Sequence, residues 1–353
     1  MPEFGKRMDR RTVIKSAAAG IGAMSLAGCS EGESQGTSWT LGTSGQETGT
    51  HAAGVAFSSV VDQHSDSLSM SAQTTGGTNE NVRLLERNEL DIAQSTTPVA
   101  WRANTAREPF DDPAPELTIC QTYAFMTIDP FLVKRADDDL DHIETVSDIP
   151  TDGSINMSWG PRGTSVWDTV NDGFSVAGVD NAYETFDLNS MSLGDQPAAF
   201  REERLDIATC YTANQETQVG WVQELDSTSE VEVIEWGFDE DAVTSANMPF
   251  GFAELSADTW NQDVGADSFS ALPITYFTGI PKSVSSEEVY ELMETLFENQ
   301  TEVNESHSVL SEFSHEFSTE WLSTNDEIPV HPGAEEYYRE NDLWSEDFTS
   351  AQD

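Results

Sequence analysis

The chain has 353 residues, of which 64 are Asp or Glu and 16 are Lys or Arg, for a formal net charge of −48 at pH 7. So little basic character argues against a nucleic-acid partner, whose phosphates demand clustered Lys and Arg, while 9 Trp, 17 Phe and 7 Tyr argue against a disordered chain. A uniformly acidic surface repels itself in dilute buffer, which points to a protein from a high-salt environment.

The first residues read as a processing signal, not as fold. Asp9-Arg10-Arg11-Thr12-Val13-Ile14-Lys15 places two arginines before an apolar run, Ser16 to Ala27, that is too short to span a bilayer. The run closes on Leu26-Ala27-Gly28-Cys29. The first piece resembles a twin-arginine export signal and the second a lipobox. Residues 1–28 are thus expected to be removed, and Cys29 to become a lipid-carrying first residue; stable anchoring takes two acyl chains. Residues 29–38, rich in Gly, Ser and Glu, form a flexible tether. Only Cys120 and Cys210 remain beyond the leader, both in apolar runs, and read as buried thiols rather than a disulfide framework.

From Trp39 onward, strands and helices alternate. Strands are expected over 38–43, 68–74 and 90–94, with helices over 51–64 and 80–87. Three strand–loop–helix units in a row predict an α/β layer with a largely parallel sheet, and such sheets bind ligands at the carboxyl ends of their strands. Residues 117–132 are mostly apolar and long enough to cross between two lobes. Further strands are expected over 154–159, 185–190, 205–211, 231–236 and 270–277, and helices over 166–174, 215–225 and 286–299. Lobe 1 is drawn as 39–125 plus 236–353, and lobe 2 as 126–235.

No G-x-S-x-G elbow, phosphate-binding loop or dinucleotide fingerprint is present, so no catalytic residue and no cofactor is assigned. The six histidines lack ligand spacing, and no metal site is assigned. His331, before Pro332-Gly333, reads as a turn and helix cap. What recurs is a strand followed by a Gly/Ser/Thr loop that opens a helix, at 44–50, 75–79 and 160–165. Such loops turn hydroxyls and backbone N–H groups toward one point, a neutral way to hold an anion. Thr48, Thr50, Thr78, Asn81, Gly163, Thr164 and Ser165 are the candidate ligand residues. Arg162, alone among them in carrying positive charge, is expected to meet a carboxylate.

Several stretches together resemble the TAXI family, the solute-binding subunits of tripartite ATP-independent periplasmic (TRAP) transporters, in a halophilic archaeon. They are Gly42-Thr43-Ser44 with Thr48-Gly49-Thr50-His51, Thr75-Gly76-Gly77-Thr78-Asn79-Glu80-Asn81-Val82, Glu89-Leu90-Asp91-Ile92-Ala93-Gln94, Gly160-Pro161-Arg162-Gly163-Thr164-Ser165 and the terminal His331-Pro332-Gly333-Ala334. The resemblance implies a type II periplasmic-binding fold, two α/β lobes around a central ligand cleft. It implies a non-enzymatic receptor on the extracytoplasmic face that delivers a small solute to integral-membrane TRAP permease subunits; Arg162 and the loop donors point to a small carboxylate, an amino acid or organic acid, as that solute. A ligand-sensing receptor on the same fold, feeding a signalling partner, is the alternative. The chain departs from the family pattern at His51-Ala52, at Thr164-Ser165-Val166 and at Ala213-Asn214-Gln215, all in the expected pocket.

The charge makes a direct prediction. The Debye length falls to about 3 Å at 1 M salt, so self-repulsion disappears as KCl is added. The melting temperature should rise steeply between 0.1 M and 2 M KCl. A flat profile over that range would remove the high-salt reading.

Overall fold

The computed structural model describes residues 36–46, 48–113 and 115–351. The leader 1–28, the acceptor Cys29 and most of the tether lie outside the described residues. Strands β1 (Thr37–Gly42), β2 (Leu68–Gln73) and β3 (Ile92–Thr96) alternate with helices α1 (Gly49–His64), α2 (Thr78–Glu86) and α3 (Thr97–Asn104). β4 (Ile119–Arg135) follows, then β5 (Met157–Ser158), α4 (Ser165–Val176), β6 (Ile207–Ala213), β7 (Thr217–Gln218) and β8 (Val231–Ile234). The last strands are β9 (Ala253–Ser256), β10 (Ser268–Ala271) and β11 (Ile274–Pro281), before helices Ser286–Glu298 and Pro332–Glu340.

The main sheet runs β2-β1-β3-β11-β4-β6-β5, with β8 beside β4 and β7 beside β6. β1 pairs in parallel with β2 and β3, and β5 with β6. The centre is antiparallel, because β11 runs back between β3 and β4, and β4 opposes both β6 and β8. The sheet is therefore mixed, not largely parallel. A strand that leaves one lobe and a strand that returns to it must run in opposite senses.

β4 is buried along all but its last residue, so nothing in it alternates with solvent. Its first part pairs with β11 as far as Ile128, and from Ile128 onward it pairs with β6. One strand thereby belongs to two half-sheets, and one continuous core carries an aromatic group on each side of it. On one side Phe57 of α1 packs edge-on against Tyr123 and Phe125, with Phe297 and Phe313 stacked beside them. On the other, Trp159 stacks on Phe174, and Trp236 meets Phe174 edge-on. These are two α/β lobes crossed by extended segments, as the type II periplasmic-binding fold predicts.

Trp236 belongs to the Phe174 cluster, while Leu255, Trp260, Val264 and Phe269 share a core with Phe131, Val133 and Leu205. The chain goes back at Ala271-Leu272-Pro273-Ile274, where Leu272 N–H donates to the Pro130 carbonyl. Pro273 also splits the single strand expected over 270–277 into β10 and β11, since proline cannot donate to a ladder. The strand expected over 185–190 is reduced to one bridge, Met157 with Leu188. Cys120 and Cys210 are free and fully buried, and burial pushes the Cys120 thiol up to about 12.

Candidate functional site

Three helices begin beyond the carboxyl ends of strands, α1 and α2 after β1 and β2 and α4 after the oppositely directed β5, and their N-termini meet at one cleft of about 360 Å³. Ser44 to Thr50 lead into α1, Gly76 to Asn79 into α2, and Pro161 to Val166 into α4. The first turn of each helix has backbone N–H groups without intrahelical acceptors, and the aligned peptide dipoles put partial positive charge there. Gly77 takes φ +118°, a conformation L side chains rarely adopt, so glycine is required for the α2 approach. α1 sits close on the sheet because Gly54 has no side chain; a Cβ there would lie 2.4 Å from Thr43 Cγ2.

The hydroxyls divide into two groups. Thr48 Oγ1 accepts from His51 N–H at 3.2 Å and donates to the Gly45 carbonyl at 2.7 Å. Thr164 Oγ1 accepts from Trp167 N–H at 3.3 Å and donates to the Pro161 carbonyl at 2.9 Å. Both are N-caps that hold their helix ends in shape. Thr50, Thr78 and Ser165, within the first turns, are the hydroxyls left to meet a solute; Thr50 also touches Thr48 at 2.9 Å and contacts Ser44.

The structure brings Thr48, Thr50, Thr78, Gly163, Thr164 and Ser165 together on the cleft wall. It does not bring Asn81 or Arg162 there. Asn81 is 1% exposed, and its amide donates to the Thr43 and Gln94 carbonyls at 2.9 Å while accepting from Thr75 Oγ1 at 2.7 Å. It ties the middle of β3 to the segments just past β1 and β2. Arg162 is exposed, its guanidinium lies 5.2 Å from the Trp167 ring, and its backbone N–H donates to Ser190 Oγ. The aromatic ring of α4 attracts the cation.

The floor of the cleft comes from residues that sequence reasoning missed. Met126 and Ile128 of β4 stand opposite Tyr276 and Ile274 of β11, and the register places Met126, Ile128 and Tyr276 on the cleft. Tyr211, Ala213, Val219, Leu193 and Val309 complete it. Burial pushes the Tyr276 phenol up to about 12, with Ser165 as the polar group opposing that shift, so it stays a neutral donor. No described residue lining this cleft is charged, in a chain with 64 acids.

The histidines do other work. His51 Nδ1 meets Thr43 Oγ1 at 2.9 Å, but Thr43 is fully buried and its hydroxyl also bonds the Gln73 carbonyl, so the pair presents no nucleophile to the cleft. His331 caps the helix Pro332–Glu340 by accepting from Gly333 N–H, and burial lowers its pKa to about 4. His315 Nε2 lies 2.8 Å from the Tyr337 hydroxyl. Among the described residues, no cluster of three or more His, Cys, Asp or Glu is placed to hold a metal ion.

The chain has no sequence match among curated proteins. Among solved structures it is similar to the periplasmic aliphatic sulphonate binding protein SsuA from Escherichia coli, at 11% identity over 89% of this chain and 96% of that one, with a TM-score of 0.45. The binding protein component of an ABC phosphonate transporter from Pseudomonas aeruginosa matches at 13% identity over 77% and 78%, TM-score 0.47. A TctC solute binding protein from Polaromonas matches at 12% over 78% and 86%, TM-score 0.45. The profile of the NMT1-like family covers residues 41–341, and the chain belongs to that family.

Proposed function

We propose that the protein is an extracytoplasmic solute receptor whose lobes close on a small organic anion and present it to a membrane transporter. The observation that carries this reading is the meeting of three helix N-termini, two from one lobe and one from the other, at a cleft with no charged lining side chain among the described residues. A carboxylate there gains N–H and hydroxyl donors without a fixed counter-charge. The remaining wall is apolar, which suits a solute with one anionic head and an apolar body. Binding is the role this reading assigns, because the described lining of the cleft offers hydrogen-bond donors and apolar surface.

Salt reconciles an anionic solute with so acidic a protein. At molar salt the long-range field is screened within a few ångströms, so the helix N-termini at contact distance decide the interaction. The loops 75–79 and 160–165 favour a TAXI-type receptor, and delivery to a TRAP permease remains the partner this reading implies.

Export follows from the leader. Among the described residues no helix is long and apolar enough to cross a membrane, and the proposed attachment is lipid on Cys29 after twin-arginine export. Replacing Arg10 and Arg11 with lysine should retain the precursor in the cell, and Cys29→Ala should release the protein from the membrane fraction. Surface delivery of the double-lysine variant at the wild-type level would remove this route.

The ligand prediction follows from the wall. In 2 M KCl, 4-methylvalerate, 4-methyl-2-oxovalerate and phenylacetate should raise the melting temperature more than succinate or glucose does. For the best of them, Thr50→Val and Ser165→Ala should each weaken binding about tenfold, roughly 1.4 kcal/mol. Arg162→Ala, outside the cleft, should leave Kd within about twofold, as a solvent-side cation contributes little. A neutral sugar as the sole hit would overturn the anion assignment.

A further inference from the structure

Beside the cleft, α3 of the first lobe faces α4 of the second, and the contacts there are polar. Arg102 on α3 is 7% exposed and its Nη2 is ion-paired with Asp172 Oδ2 on α4. Four residues earlier on α4, half-buried Asp168 is pushed up to about 6, by burial first and by the Asp172 charge, with Arg102 opposing. Asn79, at the start of α2, donates from Nδ2 to the Gly163 carbonyl at 2.9 Å, again from one lobe to the other. Asn79 and Gly163 border both the solute cleft and a second cavity of about 650 Å³ that holds Arg102, Asp168 and Asp172. The ion-pair cluster thus sits next to the solute cleft without lining it.

Arg102 faces both carboxylates, and Arg107 and Glu108 line the same cavity, Arg107 acting on Asp172 and Glu108 on Asp168. Removing Arg102 takes away the one cation that is ion-paired with Asp172 and leaves the poorly solvated acids with Arg107 alone, and separating the lobes is the simplest way to hydrate them. The setting also matters for a protein of high salt. Exposed ion pairs are screened there, whereas a buried pair is screened much less, so contacts of this kind keep their direction in brine.

We propose that Arg102 is a positioning residue that holds the two lobes closed beside the solute cleft, by pairing with Asp172 on α4, while Asn79 fixes the register of the rim through Gly163. The inference rests on the two-lobe receptor reading, but its test uses no solute and so fails independently of the ligand assignment.

The experiment places spin labels at Gln63→Cys and Ser227→Cys, both exposed and one on each lobe, in the full chain carrying Cys29→Ser; Cys120 and Cys210 are buried. Distance distributions are measured by pulsed electron resonance in 2 M KCl. Arg102→Gln should move at least a third of the population to longer separations. The exchange of Arg102→Asp with Asp172→Arg should return it to the wild-type distribution. If Arg102→Gln does not fold, judged by its melting transition, Asp172→Asn takes its place under the same criterion. A variant distribution that superimposes on the wild type, or an exchange that leaves the lobes apart, would overturn the proposal.

Discussion

β4 gives its first residues to β11 and its last to β6 and β8, so one buried strand is common property of both lobes. Its partners change at Ile128, and Ile128 with Met126 forms part of the cleft floor. The candidate cleft therefore stands at the point where the sheet passes from one lobe to the other. The helix ends are brought there by the same constraint. α1 and α2 follow β1 and β2, which run parallel to each other, while α4 follows β5, which three antiparallel pairings turn the opposite way, so the helix N-termini of the two lobes face each other. The second crossing, Ala271 to Ile274, runs beside β4 rather than elsewhere, since Leu272 bonds Pro130 and Ile274 pairs with Ile128. Two adjacent crossings let the lobes move about one line without tearing the sheet.

Charge is distributed with equal consistency. Among the described residues none of the acids lines the cleft, whose wall contains Ser, Thr, Gly, Asn, Tyr and aliphatic groups. A carboxylate side chain in that wall would repel an anionic solute at a distance where salt offers little screening. Keeping the wall neutral leaves the helix dipoles as the local source of positive potential, and salt cancels the remainder of the field. The scarce arginines serve structure: Arg102 joins the lobes, Arg135 pairs with Asp206 and Asp137, and Arg162 covers Trp167.

Much of this was legible in the sequence where the signal is local. Apolar periodicity marks α1 and the helix Ser286–Glu298, and the Gly/Thr loops mark the helix starts that form the cleft. α3 escapes because Ser95-Thr96-Thr97-Pro98 reads as a turn, although proline is well suited to a first helical turn. Tyr211 and Tyr276 escape because a strand residue reaches the cleft only through its register with other strands, which no single-sequence pattern states. Asn81 misleads for a physical reason. Its position in the α2 first turn is right for a solute donor, but backbone carbonyls just past β1 and in the middle of β3 claim its amide first. Arg162 misleads similarly: the loop is right, but Trp167 one turn further along attracts the guanidinium.

The claim on which the account turns is that the N-termini of α1, α2 and α4 themselves grip the solute. Amide hydrogen exchange by mass spectrometry in 2 M KCl, with and without the tightest-binding acid, tests it most directly. The account predicts added protection in peptides covering 48–50, 77–79 and 163–166, with little change around Trp39, Asp91 and Glu288, which line a separate cavity at another part of the first lobe. Protection centred on that second cavity, with the three helix starts unchanged, would contradict it.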